Sequence, residues 1–562
     1  MEIQGGCAAG MKTIATVQVD LERTFLGTRS RLTDELRGAA ILRRTVERLR
    51  CVEGLQAIYV LSPADQCTRC ERLLEGTAAV IRGYDAPPPN WASLVQTARK
   101  WSLDGWRGGI GGTTSFDEFT DCRLIAGLLD TAHADVVLSV PPAAPLFDAG
   151  LAQKMIESRK VNEDEARLIF TQAPPGVAGV LLDAKLIREL AERSVPIGAA
   201  FSYKPDAPRK DLIFESCCVD IPTPLRFGVG RLIADTRRST ERISDLLDDH
   251  QAPSLEEIGE WLIRRDDTHV EALPREVEIE LTTDDPYPGA LLRPHVDGAE
   301  ARGPIDIKLV GKLFDELIQY DDTLVVLGGF GDPLLHPRLL QILEMLRPTD
   351  PGADRVYGLA IRTSAATLTE ETCEALVRHR VDVLNPMLDA WTPALYTQLQ
   401  CPTGNGGADL DRVLAMLDKL STFRKKETSV APIVVPQMCK ARENVHELDE
   451  FYDGWLQRSG TVNVVGYSHY SKQQPQRGVI NMAPSSRTPC RRIRTRCTIL
   501  ADGSVALCDQ DYRGSRVVGD LKQESLGAIW NSSKLRAVRS AHQAGQFDVN
   551  PLCANCDEWH RP

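Results

Sequence analysis

The stretch Arg275-Glu276-Val277-Glu278-Ile279-Glu280-Leu281 alternates charged and apolar residues, and it begins the most regular part of this 562-residue chain. Alternation with a period of two predicts a β-strand with one buried face. The pattern then predicts a helix over residues 309–318, strands at 323–328, 357–363, 382–388, 431–438 and 461–467, and further helices near 337–347, 369–380, 408–423 and 444–458. The last helix has a predicted cap at Asn444, with Glu447 three residues on. Strands separated by helices predict a parallel sheet curled into a partial (β/α)6 barrel over residues 275–475.

The N-terminal region, residues 11–245, also alternates apolar strands, such as 58–61 and 136–140, with helical patterns. This order predicts a separate α/β domain of Rossmann-like type. A polar linker follows over residues 246–274. Ser254 with Glu257 three residues later has the spacing of a capping box, so a helix is predicted inside the linker.

The bulk composition describes a water-soluble, multidomain chain with 43% apolar residues, 26% charged residues and a net charge of −12. Nucleic-acid binding is not expected, because it favours a basic surface. No stretch approaches about 18 apolar residues, so no membrane span is expected. The first residues lack the charged and apolar regions of a secretory signal, and we therefore expect a cytoplasmic protein.

The C-terminal region, residues 476–562, has few apolar residues for a core of its own, but it holds a third of the fifteen cysteines. Thiols stay reduced in the cytoplasm, so disulfides are not expected. A small domain with a weak core usually needs a metal, which makes the cysteines candidate ligands. The Asp502-Gly503 dipeptide predicts a two-residue hairpin turn between two of them. The candidates are Cys490, Cys497, Cys508, Cys553 and Cys556.

The Cys553-Ala554-Asn555-Cys556 spacing lets one tight turn direct two sulfurs at the same metal. Thiolates bind both Zn²⁺ and iron–sulfur clusters, so the spacing alone leaves the metal open. The alternative is that these cysteines are unligated.

The same region resembles the SPASM domain of radical S-adenosylmethionine (SAM) proteins. The resemblance lies in Cys490, 502–505, Cys508, Asp511, 519–521, 525–530 and the final cysteine pair. It implies an iron–sulfur domain with a [4Fe–4S] cluster. By position it assigns Cys490, Cys508, Cys553 and Cys556 as the metal ligands, with Cys497 in reserve.

The central region resembles the barrel of radical SAM enzymes. Residues 280–283 are similar to the end of its first strand, 328–337 to the loop after the second, and 388–390 to the end of the fourth. By this resemblance Asp332 is a candidate remnant of the SAM-binding site. It stands where a glutamate that meets the amino group of the cofactor is usual.

The loop after the first strand departs from that family, in which three cysteines of a C-x3-C-x2-C motif bind the reactive cluster. The corresponding positions here are Asp285, Gly289 and Leu292, and none is a thiolate. A cluster of the usual kind is therefore not expected in the barrel. One alternative is a different metal bound by His295 and the aspartates, but an exposed acidic turn is favoured. Another is a cluster bound by Cys401 and Cys439, but scattered core cysteines are favoured.

The N-terminal domain resembles cytidylyltransferase-like enzymes in residues 27–38 and 134–148. Glu35 stands in place of a lysine that neutralises the nucleotide triphosphate, and Ala143 in place of a metal-binding aspartate. Active nucleotidyl transfer is therefore not expected, although a nucleotide-shaped pocket stays open as an alternative. The glycines of 106–114 favour a flexible turn, and Cys67 and Cys70 favour free thiols.

Taken together, the chain resembles spiro-SPASM proteins. This implies an iron–sulfur protein with one [4Fe–4S] cluster and a binding, electron-transfer or scaffold role, acting on an unknown protein, peptide or redox partner. Whether it is an enzyme and whether it binds SAM stay open. The alternatives are a divergent radical SAM enzyme that modifies a peptide and a sugar-nucleotide transferase.

Overall fold

The computed structural model describes residues 11–162, 166–206, 208, 210–348, 357–403 and 407–561. The chain forms two compact units, Met1–Arg264 and Arg265–Pro562. The finer boundaries at residues 245, 274 and 475 stay predictions. The first ten residues, including Cys7, lie outside the described residues. Among the helices of the described part, none is long and apolar enough to cross a membrane.

The N-terminal unit is built on one mixed sheet with the strand order β5-β4-β1-β6-β8-β7. Its first four strands in this order are parallel to one another. At the other edge, β8 runs antiparallel to both of its neighbours, β6 and β7. The predicted strands at 58–61 and 136–140 are confirmed. The strands are β1 (Thr13–Gln18), β2 (Glu35–Leu36), β3 (Ala39–Ala40), β4 (Leu55–Pro63), β5 (Val80–Tyr84), β6 (Val136–Val140), β7 (Leu168–Ile169) and β8 (Val180–Asp183), of which β2 and β3 form a separate hairpin.

Helices connect these strands and bury their apolar faces against the sheet, whose central strand β6 is buried throughout. The helix predicted in the linker is confirmed: Ser254 Oγ accepts from the Glu257 backbone N–H and Glu257 accepts from that of Ser254. The helices are α1 (Ile41–Leu49), α2 (Cys67–Leu73), α3 (Ala92–Arg99), α4 (Cys122–Ala132), α5 (Ala149–Val161), α6 (Ala184–Arg193), α7 (Thr223–Phe227), α8 (Arg237–Asp249) and α9 (Leu255–Thr268).

The C-terminal unit begins with a run of parallel strands in the order β13-β12-β11-β10-β9. These strands are β9 (Glu276–Glu280), β10 (Leu324–Gly328), β11 (Gly358–Thr363), β12 (Val383–Pro386) and β13 (Ile433–Val434). The connecting helices are α10 (Ile307–Leu317), α11 (Leu339–Leu346), α12 (Glu370–Arg378), α13 (Pro393–Gln400) and α14 (Leu410–Lys426). The predicted α/β class with a parallel central sheet is confirmed, and α13 is a helix that the sequence pattern missed.

Two details of the predicted barrel are wrong. The strand expected at 431–438 is two strands, β13 and β14 (Gln437–Lys440), and β14 pairs in parallel with β15 (Asn463–Gly466) in a separate ladder. The helix α15 (Leu448–Ser459) is not capped by the side chain of Asn444. That amide instead donates to the carbonyl oxygens of Asp389 and Cys439, because it is fully buried beside them.

The cysteine-rich region continues the barrel sheet instead of folding beside it. The strands β16 (Arg496–Ile499), β17 (Ser504–Ala506) and β18 (Val517–Asp520) extend the order to β9-β16-β17-β18, with β16 parallel to β9. The hairpin predicted at Asp502-Gly503 is confirmed, but its turn is wider. The Gly503 N–H donates to the Leu500 carbonyl oxygen, and only the glycine of the dipeptide has a positive φ, of 89°.

The apolar residues of this region explain how it folds with so few of them. Ile499, Leu526, Ile529 and Trp530 are buried in the same core as the barrel strands and helices. The region therefore uses the core of the barrel and adds the short helices α16 (Arg492–Thr495), α17 (Leu526–Trp530), α18 (Ser533–Gln543) and α19 (Pro551–Ala554).

A buried carboxylate holds the end of β9 to its neighbours. Glu280 is fully buried and accepts from Arg302 at 2.6 and 2.9 Å, from the Phe330 backbone N–H at 3.3 Å and from that of Ala501 at 3.0 Å. A buried carboxylate is stable only when it is paired and hydrogen-bonded, as this one is. Arg302 also donates to the Tyr512 carbonyl oxygen. One ion pair thus connects the barrel with the cysteine-rich region.

The loop after β10 approaches the end of β9 so closely that it requires glycine. A Cβ atom at Gly331 would lie 2.3 Å from the Thr282 carbonyl oxygen and 2.6 Å from the Thr283 carbonyl carbon. Both are backbone atoms that cannot move aside independently.

We therefore expect Gly331→Ala to lower the free energy of unfolding of the C-terminal unit by about 3 kcal/mol. Gly289→Ala is the matched control, since a Cβ atom there would have no neighbour within 4 Å. Urea unfolding followed by circular dichroism measures both variants. Equal stability of the two variants would contradict the close packing of the loop.

Candidate metal centre

Four of the five C-terminal cysteines surround one cavity: Cys490, Cys508, Cys553 and Cys556. They come from three separate segments of the chain. Cys490 precedes α16, Cys508 follows β17, and the final pair lies in α19 and just after it. Cys490 and Cys553 are buried and the other two are half-buried. In the described residues no three His, Cys, Asp or Glu side chains form a group that could hold a single metal ion.

Local structure fixes the direction of the final pair. Asn550 caps α19 by accepting from the Leu552 N–H at 3.0 Å, and Pro551 occupies the first turn. The Cys556 N–H donates to the Cys553 carbonyl oxygen at 3.2 Å, which closes a tight turn. Both sulfurs therefore face the same cavity, as the spacing predicted.

Burial raises the pKa of each of these thiols, to about 11 for Cys553 and about 12 for Cys556. The thiols of Cys508, Cys553 and Cys556 also experience the charge of Cys490, which raises their pKa further. Backbone N–H groups oppose the rise: those of Arg492 and Ile493 act on Cys490, and that of Glu558 lies 3.2 Å from Cys556 Sγ. The thiols are thus protonated without a metal, and a metal centre must displace these protons when it binds.

The donor set fits a group held by thiolates. Besides the four sulfurs, four buried side-chain atoms of the lining residues have no hydrogen-bond partner within the described residues: Ser471 Oγ, His542 Nε2 and the Nε atoms of Arg487 and Arg492. Inorganic sulfide and thiolate sulfur accept hydrogen bonds from such donors. No sequence pattern indicates Ser471 or His542, because a serine in a connecting segment and a histidine on a polar helix are ordinary.

Cys497 lies apart from this group. It sits in β16 opposite Val277 of β9, buried in the barrel core. Burial raises its pKa to about 12, and the positive charge of Arg539 opposes this rise. The other cysteines are not among the groups that shift its pKa. It lines a small neighbouring space and not the cavity of the four thiols.

The loop after β9 holds an ion pair where the resemblance would place cluster ligands. Asp285, with a side chain 4% exposed, accepts from Arg293 at 2.8 and 2.9 Å and from the Tyr287 backbone N–H. Burial works to lower the pKa of Arg293, but Asp285, Asp389 and Asp332 outweigh it and raise this pKa. The expectation of an exposed acidic turn is wrong for Asp285, because this partner draws it inward.

The other positions of this loop offer no ligand either. Leu292 is packed in the barrel core, and Gly289 has no side chain. Cys401 is buried in the same core, and Cys439 lies on β14. Among the described residues, His295 belongs to no group of three or more side chains that could hold a metal ion.

The carboxylate of Asp332, the candidate SAM-site residue, is hydrogen-bonded to neighbouring residues of the chain. It accepts from Thr363 Oγ1 at 2.7 and 2.9 Å, from Ser364 through both its hydroxyl and its backbone N–H, and from the Leu334 N–H. Burial raises its pKa against these hydrogen bonds. Its role toward a cofactor stays a prediction.

The N-terminal unit has a cavity of about 760 Å³ at the carboxyl ends of β1, β4, β5 and β6. This is where ligands bind in open parallel sheets. Ala143 lines it, and Glu35 and the glycine segment 106–114 lie outside the lining. Arg231, on one wall, already donates to the carboxylates of Glu118 and Asp235. Cys67 and Cys70 are free thiols in α2.

Two family models match the chain. Residues 490–557 match SPASM, an iron–sulfur cluster-binding domain, and residues 297–448 match the radical SAM superfamily. The first match begins at Cys490 and contains all five C-terminal cysteines, and the second begins after the loop of Asp285 and Arg293. The resemblance of both regions is confirmed. The chain thus contains a segment similar to the radical SAM superfamily and a segment similar to an iron–sulfur cluster-binding domain.

Two curated relatives align with parts of the chain. An uncharacterized protein of Treponema pallidum is 28% identical over 254 residues, 42% of this chain and 65% of that protein. A tungsten-containing aldehyde ferredoxin oxidoreductase cofactor-modifying protein of Pyrococcus furiosus is 23% identical over 157 residues, 27% of this chain and 40% of that protein. The chain thus spans less than two thirds of the length of either relative.

Two solved structures align with parts of the chain at low overall similarity. SuiB of Streptococcus suis bound to precursor peptide SuiA has a TM-score of 0.39 at 12% identity, covering 57% of this chain and 81% of that one. A cytidylyltransferase of Leptospira borgpetersenii has a TM-score of 0.29 at 14% identity, covering 45% of this chain and 93% of that one. The N-terminal resemblance to such enzymes stays a prediction.

The ion pair in the barrel loop yields a stability prediction. Arg293→Leu leaves the buried Asp285 carboxylate without its partner and should lower the free energy of unfolding by about 3–5 kcal/mol. The double variant Asp285→Asn/Arg293→Leu should be clearly more stable than this single variant, because it no longer contains the unpaired Asp285 carboxylate.

Urea unfolding of the metal-free protein measures these variants. The control is Arg378→Leu, which removes an exposed arginine 4.0 Å from Glu374 and should change stability by less than about 0.5 kcal/mol. A double variant as unstable as Arg293→Leu alone would refute the role of the ion pair.

Proposed function

We propose that this chain, with its radical SAM superfamily segment at residues 297–448 and its SPASM domain at 490–557, holds one [4Fe–4S] cluster and does not cleave SAM. Its ligands are Cys490, Cys508, Cys553 and Cys556. The cluster serves a binding, electron-transfer or scaffold role.

One observation carries the proposal: four thiols from three separate segments surround a single cavity. A cubic cluster has four irons, and a full set of four thiolates leaves none of them open. Such a cluster supplies one-electron transfer or a structural cross-link. The protein's part is to bring the three segments together and to shield the sulfurs from water.

The barrel loop supports the absence of a second, reactive cluster. An open iron needs a site with three thiolates, and the loop after β9 offers an aspartate, a glycine and a leucine. The aspartate, Asp285, is paired with Arg293, and Asp332 accepts hydrogen bonds from Thr363 and Ser364. The guanidinium group of Arg293 also supplies positive charge that acts on the carboxylates of Asp332 and Asp389.

The proposed partner is a protein, a peptide or a redox protein, and not a nucleic acid, because the chain carries a net charge of −12. A reducing compartment such as the cytoplasm suits the free thiols of the chain. A divergent radical enzyme that modifies a peptide and a nucleotidyl transferase are the competing functions.

Anaerobic reconstitution with iron and sulfide should yield about four irons and four sulfides per chain. Reduction of this protein in the presence of SAM should release no 5′-deoxyadenosine. Chemical iron and sulfide analysis and chromatography of the nucleoside products measure both quantities. About eight irons per chain together with 5′-deoxyadenosine would overturn the proposal and favour the radical enzyme.

Cys553→Ala should remove most of the cluster and destabilise the cysteine-rich region, because cluster binding and folding are coupled in such regions. Cys497→Ala is the matched control: this cysteine is equally buried but outside the cavity, so the variant should keep about four irons. Iron analysis and the visible absorption of the cluster compare the two. Full iron content in Cys553→Ala would remove this residue from the ligand set.

A further inference from the structure

The segment that follows β15 contains a backbone conformation that side chains rarely adopt. Tyr470, Ser471 and Lys472 have φ angles of 49°, 56° and 64°, three left-handed residues in succession without a glycine. Such residues visit this region singly, since the Cβ atom meets the following carbonyl oxygen. A run of three persists only where the surroundings hold it, and such strained segments are concentrated at functional sites.

Side chains on either side of this turn fasten it to the cysteine ligands. His469 Nδ1 accepts from the Lys472 backbone N–H at 2.9 Å, so its Nε2 carries the proton and donates to Asp557, 3.0 Å away. Asp557 follows Cys556 directly. Ser468, before the turn, and Gln473, after it, both form hydrogen bonds with Gln510, two residues after Cys508. The turn is therefore fixed to two of the three ligand segments.

At the centre of this turn Ser471 faces the cavity of the four thiols. The residue is 7% exposed, and its hydroxyl is buried without a hydrogen-bond partner in the described part of the chain. The neighbouring Ser468 has a partner in Gln510, whereas the Ser471 hydroxyl belongs to a residue of the cavity lining. A buried hydroxyl without a partner is costly and calls for an acceptor in the cavity.

A second unsatisfied donor faces the same cavity from α18. His542 is 2% exposed, and its Nδ1 accepts from the Cys490 backbone N–H at 3.3 Å. The other ring nitrogen, Nε2, therefore carries the hydrogen, and it is buried without a partner among the described residues. Ser471 and His542, from distant segments, thus each bring an unpartnered donor to the lining of the four-cysteine cavity, where Arg487 Nε and Arg492 Nε are also unpartnered within the described residues.

We propose that Ser471 and His542 complete the cluster site by donating hydrogen bonds from Oγ and Nε2 to sulfur atoms of the bound cluster, and that they raise its reduction potential. The inference rests on the proposed [4Fe–4S] cluster. Reduction adds one electron to the cluster and increases the negative charge on its sulfurs. Donors aimed at these sulfurs stabilise the reduced state more than the oxidised state, so they raise the potential.

Ser471 and His542 are positioning residues in this account, and they are not ligands. Ser471→Ala, His542→Leu and the double variant should each keep about four irons per chain. Each single variant should shift the midpoint potential downward by an amount equivalent to roughly a tenfold change in the reduced-to-oxidised ratio, about 59 mV for one electron. The double variant should shift it further. A redox titration of the reconstituted proteins followed by electron paramagnetic resonance measures the potentials.

Further variants separate the hydroxyl from the strained backbone. Ser471→Gly relieves the left-handed conformation and removes the hydroxyl, so it should shift the potential as Ser471→Ala does. Ser471→Asn tolerates this conformation and restores an N–H donor, and it should recover part of the shift. Ser540→Ala changes an exposed serine on the same helix as His542 and should have no effect.

The outcomes distinguish this inference from the proposed function. A wild-type protein without a four-iron cluster would contradict the proposed function itself. A four-iron cluster whose potential is the same in the wild type, Ser471→Ala and His542→Leu would overturn the inference alone. Loss of iron in both single variants would also overturn it, because it would make these residues necessary for binding and not for tuning.

Discussion

The buried Glu280 carboxylate at the end of β9 is the interaction on which the C-terminal unit depends. It pairs with Arg302, accepts from the Phe330 N–H of the loop after β10, and accepts from the Ala501 N–H of the hairpin turn. Removing its partner would leave a charge where water cannot reach it, at a cost of about 3–5 kcal/mol. Because the same carboxylate serves the barrel and the cysteine-rich region, the two fold as one structure around β9.

This arrangement explains how a region with few apolar residues reaches a defined geometry. The strand β16 adds to the edge of the barrel sheet in parallel with β9, and the helices α17 and α18 bury apolar side chains in the barrel core. The segments that carry the cysteine ligands are therefore attached to the barrel sheet and its core. The left-handed turn after β15 forms a further part of the cavity lining. A cluster at this site would therefore be held by the barrel as much as by the cysteines.

Local features of the chain could be predicted from the sequence, and long-range ones could not. The alternation around Ile279, the C-x2-C pair and the Ser254 capping box each act within a few residues, and all three are found as expected. The pairing of β16 with β9 joins residues 220 positions apart, and no periodicity encodes such a partner. Asn444 fails as a cap for the same reason, since its buried amide bonds to Asp389 from another loop.

The two parts of the C-terminal unit thus differ in their chemistry. The Asp285 carboxylate of the barrel loop is paired with Arg293, whereas four cysteine thiols line one cavity of the cysteine-rich region. Anomalous X-ray scattering at the iron edge from crystals of the reconstituted protein tests this difference most directly. We expect anomalous density for four irons between Cys490, Cys508, Cys553 and Cys556 and no iron near Arg293. Iron bound in the barrel loop, or zinc in place of iron between the cysteines, would contradict this expectation.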